Sequence, residues 1–218
     1  MKMKKGFTLV EMLVVIGILA VLIGVGMTSF SSATKKAQKV KGQELVSEVA
    51  TALTLIYQKN GCWPRRILSA GASDGEITAE IAYDITTGGH PLTDKDDSLK
   101  GGLALTVDRN NLTERKTVGI DRMGILSPWG AAVVKKAGTS SVGEGTKVPS
   151  GGTIKDHRLH FAVDTDGKGF VQASVGGEGV TIRGSAAVWC CGQDGKLETY
   201  SKGLRSDDIY SWSKSQVK

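Results

Sequence analysis

Proline and cysteine are scarce in this chain of 218 residues, with 4 and 3 copies, whereas glycine occurs 29 times. The loops are therefore built mainly on glycine. The cysteines form no Cys-x-x-Cys pair, which argues against a structural zinc site. Nucleotide-binding motifs are missing as well, because the one phosphate-loop-like spacing, which ends at Gly143, is followed by Glu144 instead of lysine.

A surplus of positive charge is confined to the N-terminal segment. The net charge is +6, but residues 1–61 hold 8 lysines and 3 glutamates, whereas residues 62–218 have a net charge of only +1. A nucleic-acid-binding domain carries clustered positive charge on one face. We therefore do not expect nucleic acid as a partner.

A long apolar stretch occupies residues 7–30 and contains one charged residue, Glu11. As a helix these 24 residues would extend about 36 Å, which is enough to cross the hydrocarbon core of a membrane. Basic residues precede the stretch and end at Gly6, and no small-residue cleavage site follows it, so it is not an ordinary secretory signal. Any cut therefore falls before Phe7 and leaves a single membrane-spanning helix in the mature protein.

Glu11 is the unusual residue of this stretch, because a carboxylate within a membrane helix costs roughly 2–3 kcal/mol. Residues 7–30 contain no cation that could pair with it. Cleavage between Gly6 and Phe7 would create a free amine about one turn from Glu11, on the same helix or on a neighbouring one. The alternative is that Glu11 reaches the membrane surface, since it lies only four residues beyond Phe7.

The helix is predicted to continue beyond the membrane. Residues 31–60 contain no proline and one glycine, and apolar residues recur at spacings of three and four, which predicts an amphipathic helix packed on a sheet. These apolar residues are Val46, Val49, Leu53 and Ile56. Asn60-Gly61 is a typical helix stop. The predicted organisation is a leader at 1–6, a membrane helix at 7–30, an amphipathic helix at 31–61 and a globular head at 62–218.

The head shows its clearest strand signals towards the C-terminus. Two hairpins are predicted, one pairing residues 158–163 with 169–175 and the other pairing 186–191 with 196–200. Weaker signals predict a helix at 76–86, a strand at 103–107, turns at 94–98 and 108–112, and an exposed loop at 138–153. An antiparallel sheet packed on the long helix makes the expected fold class α+β.

The N-terminal sequence Lys4-Lys5-Gly6-Phe7-Thr8-Leu9-Val10-Glu11 resembles the leader signal of type IV pilins and pseudopilins. The resemblance implies that a prepilin peptidase cuts after Gly6 and N-methylates Phe7, and that Glu11 guides filament assembly. It also implies a single-pass inner-membrane protein with its head in the periplasm, which is extracted into a homo-oligomeric filament through its N-terminal helices.

Two stretches of the head resemble the major pseudopilin of bacterial type II secretion systems. One is Ser127-Pro128-Trp129-Gly130, where that family has aspartate first, and the other is a Gly-Gln-Asp-Gly turn at residues 192–195 with a closing Asp-Asp-Ile-x-x-Trp at 207–212. The resemblance implies a filament subunit that supports protein export across the outer membrane. Its partners would be other pseudopilins and an inner-membrane assembly platform.

The same resemblance implies a calcium ion, Ca²⁺, at the closing loop, with Asp194, Asp207 and Asp208 as the matching carboxylates. Calcium needs six to eight oxygen ligands, so backbone carbonyls would have to supply the rest. The alternative is that these aspartates are turn and cap residues. We likewise predict that Asp164-Thr165-Asp166-Gly167 is a turn and not a calcium loop, because Lys168 replaces an oxygen ligand.

The cysteines leave two alternatives. A disulfide from Cys62 to Cys190 or Cys191 fits an oxidising compartment, and free buried cysteines on a strand fit equally well. Two other functions are considered: a surface type IV pilus subunit for adhesion, motility or DNA uptake, and a membrane-tethered enzyme using residues 65–187. The chain shows no convergent catalytic set, so we expect a structural protein and not an enzyme.

Overall fold

The structure of the protein, a computed structural model, describes residues 9–87, 124–137, 142–203 and 207–218. The predicted strand at 103–107 and the turns at 94–98 and 108–112 lie outside the described residues, as do Gly6 and Phe7. The chain divides into two compact units, Met1–Gln38 and Lys39–Lys218.

Helix α1 (Leu9–Asn60) is one continuous helix of 52 residues. It ends at the predicted stop, because Gly61 adopts a left-handed backbone conformation with φ of +68° and its N–H donates to the carbonyl of Tyr57 at 2.8 Å. This is the geometry with which glycine commonly closes a helix. No helix within the described residues is both long and apolar enough to qualify as a membrane span.

In the first unit, the apolar side chains of residues 9–23 are exposed on all sides of the helix. Their exposed fractions range from 46% at Val15 to 81% at Leu9. Helices that are apolar all round are normally covered by other apolar groups, so this surface is built for packing against something outside the unit.

The second unit holds every other described element. Its helices are α2 (Arg65–Ala70), α3 (Ala79–Thr87), α4 (Pro128–Ala137) and α5 (Tyr200–Gly203). Its strands are β1 (Gly75–Glu76), β2 (His160–Val163), β3 (Phe170–Val175), β4 (Glu178–Arg183), β5 (Ala186–Cys190) and β6 (Ile209–Tyr210). Single 3-10 turns occupy Lys155–His157 and Lys214–Gln216.

The strands form two antiparallel sheets. One has four strands in the order β1-β2-β5-β6, and the other is the β3–β4 hairpin. The α+β class is therefore confirmed. The predicted helix at 76–86 is α3, which begins three residues later because Gly75 and Glu76 pair with β2.

Both predicted hairpins are wrong, although most of their strands exist. Strands β2 and β3 belong to different sheets, because the intervening chain folds back on the carboxylate of Asp164, which accepts the N–H groups of Lys168 and Gly169. Strand β3 turns instead at Gly176-Gly177, where both residues have positive φ, as the tightest hairpins require. Residues 196–199 are not a strand, and β5 pairs with β2 and β6 instead.

The amphipathic face of α1 is confirmed. Val46, Val49, Leu53 and Ile56 are fully or almost fully buried in the larger core, and each such side chain contributes about 1.5–3 kcal/mol. The smaller core lies between the β3–β4 hairpin and the aromatic side chains of the closing segment.

The predicted exposed loop at 138–153 is only partly exposed in its described portion. Val142 and Val148 are buried, and Lys147 pairs with Thr153 across the loop.

Candidate functional site

Glu11 lies in the first turn of α1. Cleavage at Gly6, methylation of Phe7 and the assembly role of Glu11 stay predictions.

The closing loop of the head comprises residues 192–198 together with residues 207 and 208, and two adjacent aspartates hold it in place. Asp208 is only 6% exposed, and its carboxylate accepts the N–H groups of Gly192 at 3.1 Å and Glu198 at 3.2 Å. The hydroxyl of Tyr210 donates to it at 3.5 Å. Burial, together with the charge of Asp208, raises the pKa of Tyr210 above its ordinary range.

Asp207 lies against the neighbouring turn and accepts the N–H of Gln193. An ideal Cβ at Gly192 would lie 2.1 Å from the Asp207 carboxylate carbon, so any larger residue here would have to displace that carboxylate. Asp194 bonds within its own turn, where its carboxylate accepts the N–H of Lys196 at 3.0 Å.

The predicted calcium ligands are therefore only partly assembled as a metal site. The fold brings Asp207 and Asp208 to the turn at residues 192–195, but both oxygens of Asp208 and one oxygen of Asp207 accept backbone amide hydrogens. Within the described part of the chain, no group of three or more histidine, cysteine or acidic side chains is arranged to hold a metal. These residues do not fit a calcium cage, and they match the alternative of turn and cap residues.

Of the two alternatives for the cysteines, the structure contains the free thiols. Cys62 is an exposed free thiol that follows the end of α1, whereas Cys190 and Cys191 are free and buried in the head. Burial raises the pKa of both Cys190 and Cys191 well above the usual range, which keeps these thiols protonated. The alternative of free buried cysteines describes Cys190 and Cys191.

A buried polar cluster in the head was not predicted from the sequence. Ser127, at the start of α4, and His157 have no exposed surface, and the Ser127 hydroxyl lies 2.9 Å from His157 Nδ1. His157 Nε2 lies 2.9 Å from the carbonyl of Gly151, and the Cys191 sulfur lies 3.4 Å from Nδ1. The cluster joins α4, the loop at 142–153 and the end of β5, and it is sealed from solvent.

A second unpredicted feature is the nearly buried guanidinium of Arg158. It pairs with Glu76 at 2.9 Å and also with Glu144. Burial alone would lower the pKa of Arg158, but the hydrogen bonds that its guanidinium donates to the two glutamates raise that pKa above its ordinary value. The pairs tie β1 and the loop at 142–153 to the residues just before β2. A sequence alone gives no signal for contacts at such separations.

The turn that begins at Asp164 is confirmed as a turn. The Asp164 carboxylate accepts the N–H of Gly169 at 2.6 Å, and its carbonyl accepts the indole N–H of Trp63 at 2.7 Å. This aspartate organises its own loop, as aspartates in turns commonly do.

The sequence Gly71-Ala72-Ser73-Asp74-Gly75 fits the Gly-x-Ser-x-Gly pattern, but it follows helix α2 and leads into strand β1. A hydrolase nucleophile needs the reverse order, a strand followed by a helix. The structure therefore gives this serine no nucleophile elbow.

The N-terminal helix is apolar in its first part, and its last part packs on an antiparallel sheet. This combination defines the class of filament-forming, pilin-like folds. The prokaryotic N-terminal methylation motif matches residues 1–27 of the chain. The fimbrial protein of Neisseria meningitidis serogroup B is 30% identical over 117 residues, which cover 50% of this chain and 69% of that protein. The chain belongs to the type IV pilin-like family.

Other relatives are similar over shorter stretches. The type IV major pilin protein PilE of Neisseria gonorrhoeae is 32% identical over 84 residues, 38% of this chain and 50% of that protein. The fimbrial protein of Moraxella nonliquefaciens is 28% identical over 88 residues, 40% of this chain and 51% of that protein. The chain thus spans about half the length of several curated relatives it matches. No solved structure matches it.

Proposed function

We propose that this pilin-like chain is a structural filament subunit that acts as a pseudopilin of a type II secretion system and supports protein export across the outer membrane. The observation that carries the filament role is the N-terminal methylation motif over residues 1–27, within which residues 9–23 present an exposed apolar surface. Neighbouring copies in a filament would cover that surface with the same apolar side chains, which removes it from water.

The N-terminus would act in two steps. Before assembly, the apolar segment anchors the chain in the inner membrane with the head in the periplasm, and a prepilin peptidase cuts after Gly6 and methylates Phe7. The new amine of one copy then pairs with Glu11 of a neighbour in an apolar setting, where a hydrogen-bonded ion pair is far better than two separate charges. Such pairing would set the register between copies.

The secretion role is supported by how the head uses its motif residues. Trp129 of the Ser-Pro-Trp-Gly stretch and Trp212 of the closing segment are both buried, and Asp207 and Asp208 hold the closing loop. Other pseudopilins and an inner-membrane assembly platform are the proposed partners. A second candidate, a surface pilus subunit for adhesion, motility or DNA uptake, is favoured by the relatives themselves, which are major pilin and fimbrial proteins.

The first experiment is the intact mass of the protein from membranes of cells with the matching peptidase. Loss of residues 1–6 with gain of one methyl group is the expected result. An uncut N-terminus would remove the basis for the filament role.

A second experiment separates secretion from a surface pilus. A strain lacking the chain is compared with one complemented by the wild-type chain, measuring proteins in the culture medium and filaments on the cell surface. We expect the deletion to lower secreted protein and to leave surface filaments unchanged. Loss of surface filaments with normal secretion would instead establish the pilus role.

A further inference from the structure

The carboxylates of the closing loop already have partners of the wrong sign for a cation. Asp208 receives backbone N–H groups from Gly192 and Glu198, one on each oxygen. Asp207 receives the N–H of Gln193. Each of these hydrogens carries partial positive charge and points at an oxygen that a calcium ion would need.

The bonds join three separate parts of the chain. Residues 192 and 193 follow β5, residue 198 precedes α5, and the two aspartates lead into β6. Because Asp208 is nearly buried, loss of its carboxylate would leave two amide groups without partners away from water, and unpaired buried donors are costly. The aspartates therefore close the loop by themselves.

The third predicted ligand, Asp194, makes contacts of a different kind. The carboxylate of Asp194 accepts the N–H of Lys196. The carbonyl of Asp194 lies so close to Gly151 that an ideal Cβ there would be 2.1 Å from it. Gly151 in turn accepts the bond from His157, so the closing loop continues into the buried polar cluster by direct contact.

We infer that Asp207 and Asp208 hold the closing loop of the head through backbone amides in place of a calcium ion, so that folding of the head does not depend on calcium. Calcium binds six to eight oxygens, largely from carboxylates and carbonyls. Here the carboxylates of one loop are shared among amide donors instead. If the proposed function holds, filament assembly is independent of calcium as well.

The test compares the thermal unfolding of the full-length chain in detergent, with calcium in excess and with a calcium chelator. Unfolding is followed by tryptophan fluorescence, which reports on Trp189 and Trp212 in the adjoining core. We expect the same melting temperature in both buffers. A higher melting temperature in calcium, with saturable binding of the ion by calorimetry, would overturn the inference.

Two variants test the role of the Asp208 carboxylate directly. Asp208→Asn replaces an acceptor oxygen by a donor, and we expect about a tenfold or larger loss in the folded-to-unfolded ratio, equal in the two buffers. The matched control is Asp166→Asn in an exposed turn, which should change little. A loss seen only in calcium would show that Asp208 acts as a metal ligand; if Asp208→Asn fails to fold, the wild-type comparison decides by itself.

Filament yield in cells grown with and without a calcium chelator extends the test to assembly. Equal yields are expected. Fewer filaments with the chelator would overturn the calcium independence of assembly, whereas an absence of filaments in both media, with unchanged melting temperatures, would count against the proposed function alone.

Discussion

The buried side chains of Ser127 and His157 are hydrogen-bond partners of each other. The carbonyl of Gly151 can only accept, so His157 Nε2 carries the proton and donates to it. Nδ1 is then the acceptor for the Ser127 hydroxyl at 2.9 Å. The major-pseudopilin motif has aspartate where this chain has Ser127, so a hydroxyl takes the place of a carboxylate beside the histidine.

Replacing Ser127 by alanine should destabilise the head. The change removes the donor to a buried nitrogen, and an unsatisfied buried group costs about 1–3 kcal/mol. The measurement is urea unfolding of the full-length chain in detergent. Ser69→Ala, an exposed serine in α2 that bonds to Arg66, serves as the control and should stay within about 0.5 kcal/mol of the wild type. Equal stabilities for the two variants would contradict the assigned hydrogen bond.

At the scale of elements, local sequence patterns predict where helices and strands lie, but they do not predict which strands pair. The spacing of Val46, Val49, Leu53 and Ile56 predicted both the helix and its buried face, because helical contacts are set by residues three and four apart. The strands at 160–163 and 186–190 were also found near their predicted positions. Their partners were missed, because β2 pairs with β5 across the whole β3–β4 hairpin, and no local signal specifies a pairing over that separation.

The contact between the loop at 142–153 and the turn at 192–195 gives a prediction at the same scale. Gly151 has φ of +144°, and an added Cβ would lie 2.1 Å from the backbone oxygen of Asp194. Gly151→Ala should therefore lower the stability by about 2 kcal/mol or more, through backbone strain and a shifted loop. Gly145→Ala in the same loop has open space around the added carbon and should be nearly neutral. Denaturant midpoints of the two variants check this, and a neutral Gly151→Ala would show that the contact does not form.

Cys190, at the end of β5, and Cys191, which follows it, should make the stability of the head sensitive to alkaline pH. Burial raises the pKa of Cys190 and Cys191 above the ordinary value of 9.0, so the fold holds both thiols neutral. Their contribution is fully present below pH 9.0 and is lost as pH rises, because the unfolded chain ionises its thiols first.

The free energy of unfolding, measured from about pH 8 to about pH 11, should therefore fall more steeply for the wild type than for Cys190→Ala. The alanine variant lacks one of the two titrating groups, although it is less stable overall because of the cavity it creates. Cys62→Ala, which removes an exposed thiol, should keep the wild-type slope. Identical slopes for all three chains would show that the buried thiols do not contribute.

At the scale of the whole molecule, the two ends of the chain were predictable to different degrees. The residues predicted to act in cleavage and assembly, Gly6, Phe7 and Glu11, lie in one short N-terminal motif, so the sequence alone points to them. The closing loop depends on contacts between residues 192–198 and 207–208, and sequence reasoning identified the aspartates but not their partners. Carboxylates near a turn predict an acceptor site, and only the fold determines whether amide hydrogens or a metal ion occupy it.

The assembly role assigned to the N-terminal helix depends most on Glu11. Removing a carboxylate from an apolar segment favours membrane insertion by roughly 2–3 kcal/mol, so Glu11→Ala should remain in the inner membrane with its leader cleaved. Without the carboxylate, the amine of a neighbouring copy has no partner in the filament core. We therefore expect filament yield to fall by at least about tenfold, the effect of a change of 1.4 kcal/mol in a binding free energy.

The matched control is Glu44→Ala, which removes an exposed glutamate from a later part of the same helix and should leave the yield close to the wild-type level. Cleavage is read from the intact mass, membrane retention from fractionation, and yield from sheared filaments. Loss of cleavage in Glu11→Ala would place its effect at the peptidase. Normal filaments from Glu11→Ala would mean that the exposed apolar surface of residues 9–23 sets the register between copies without an ion pair.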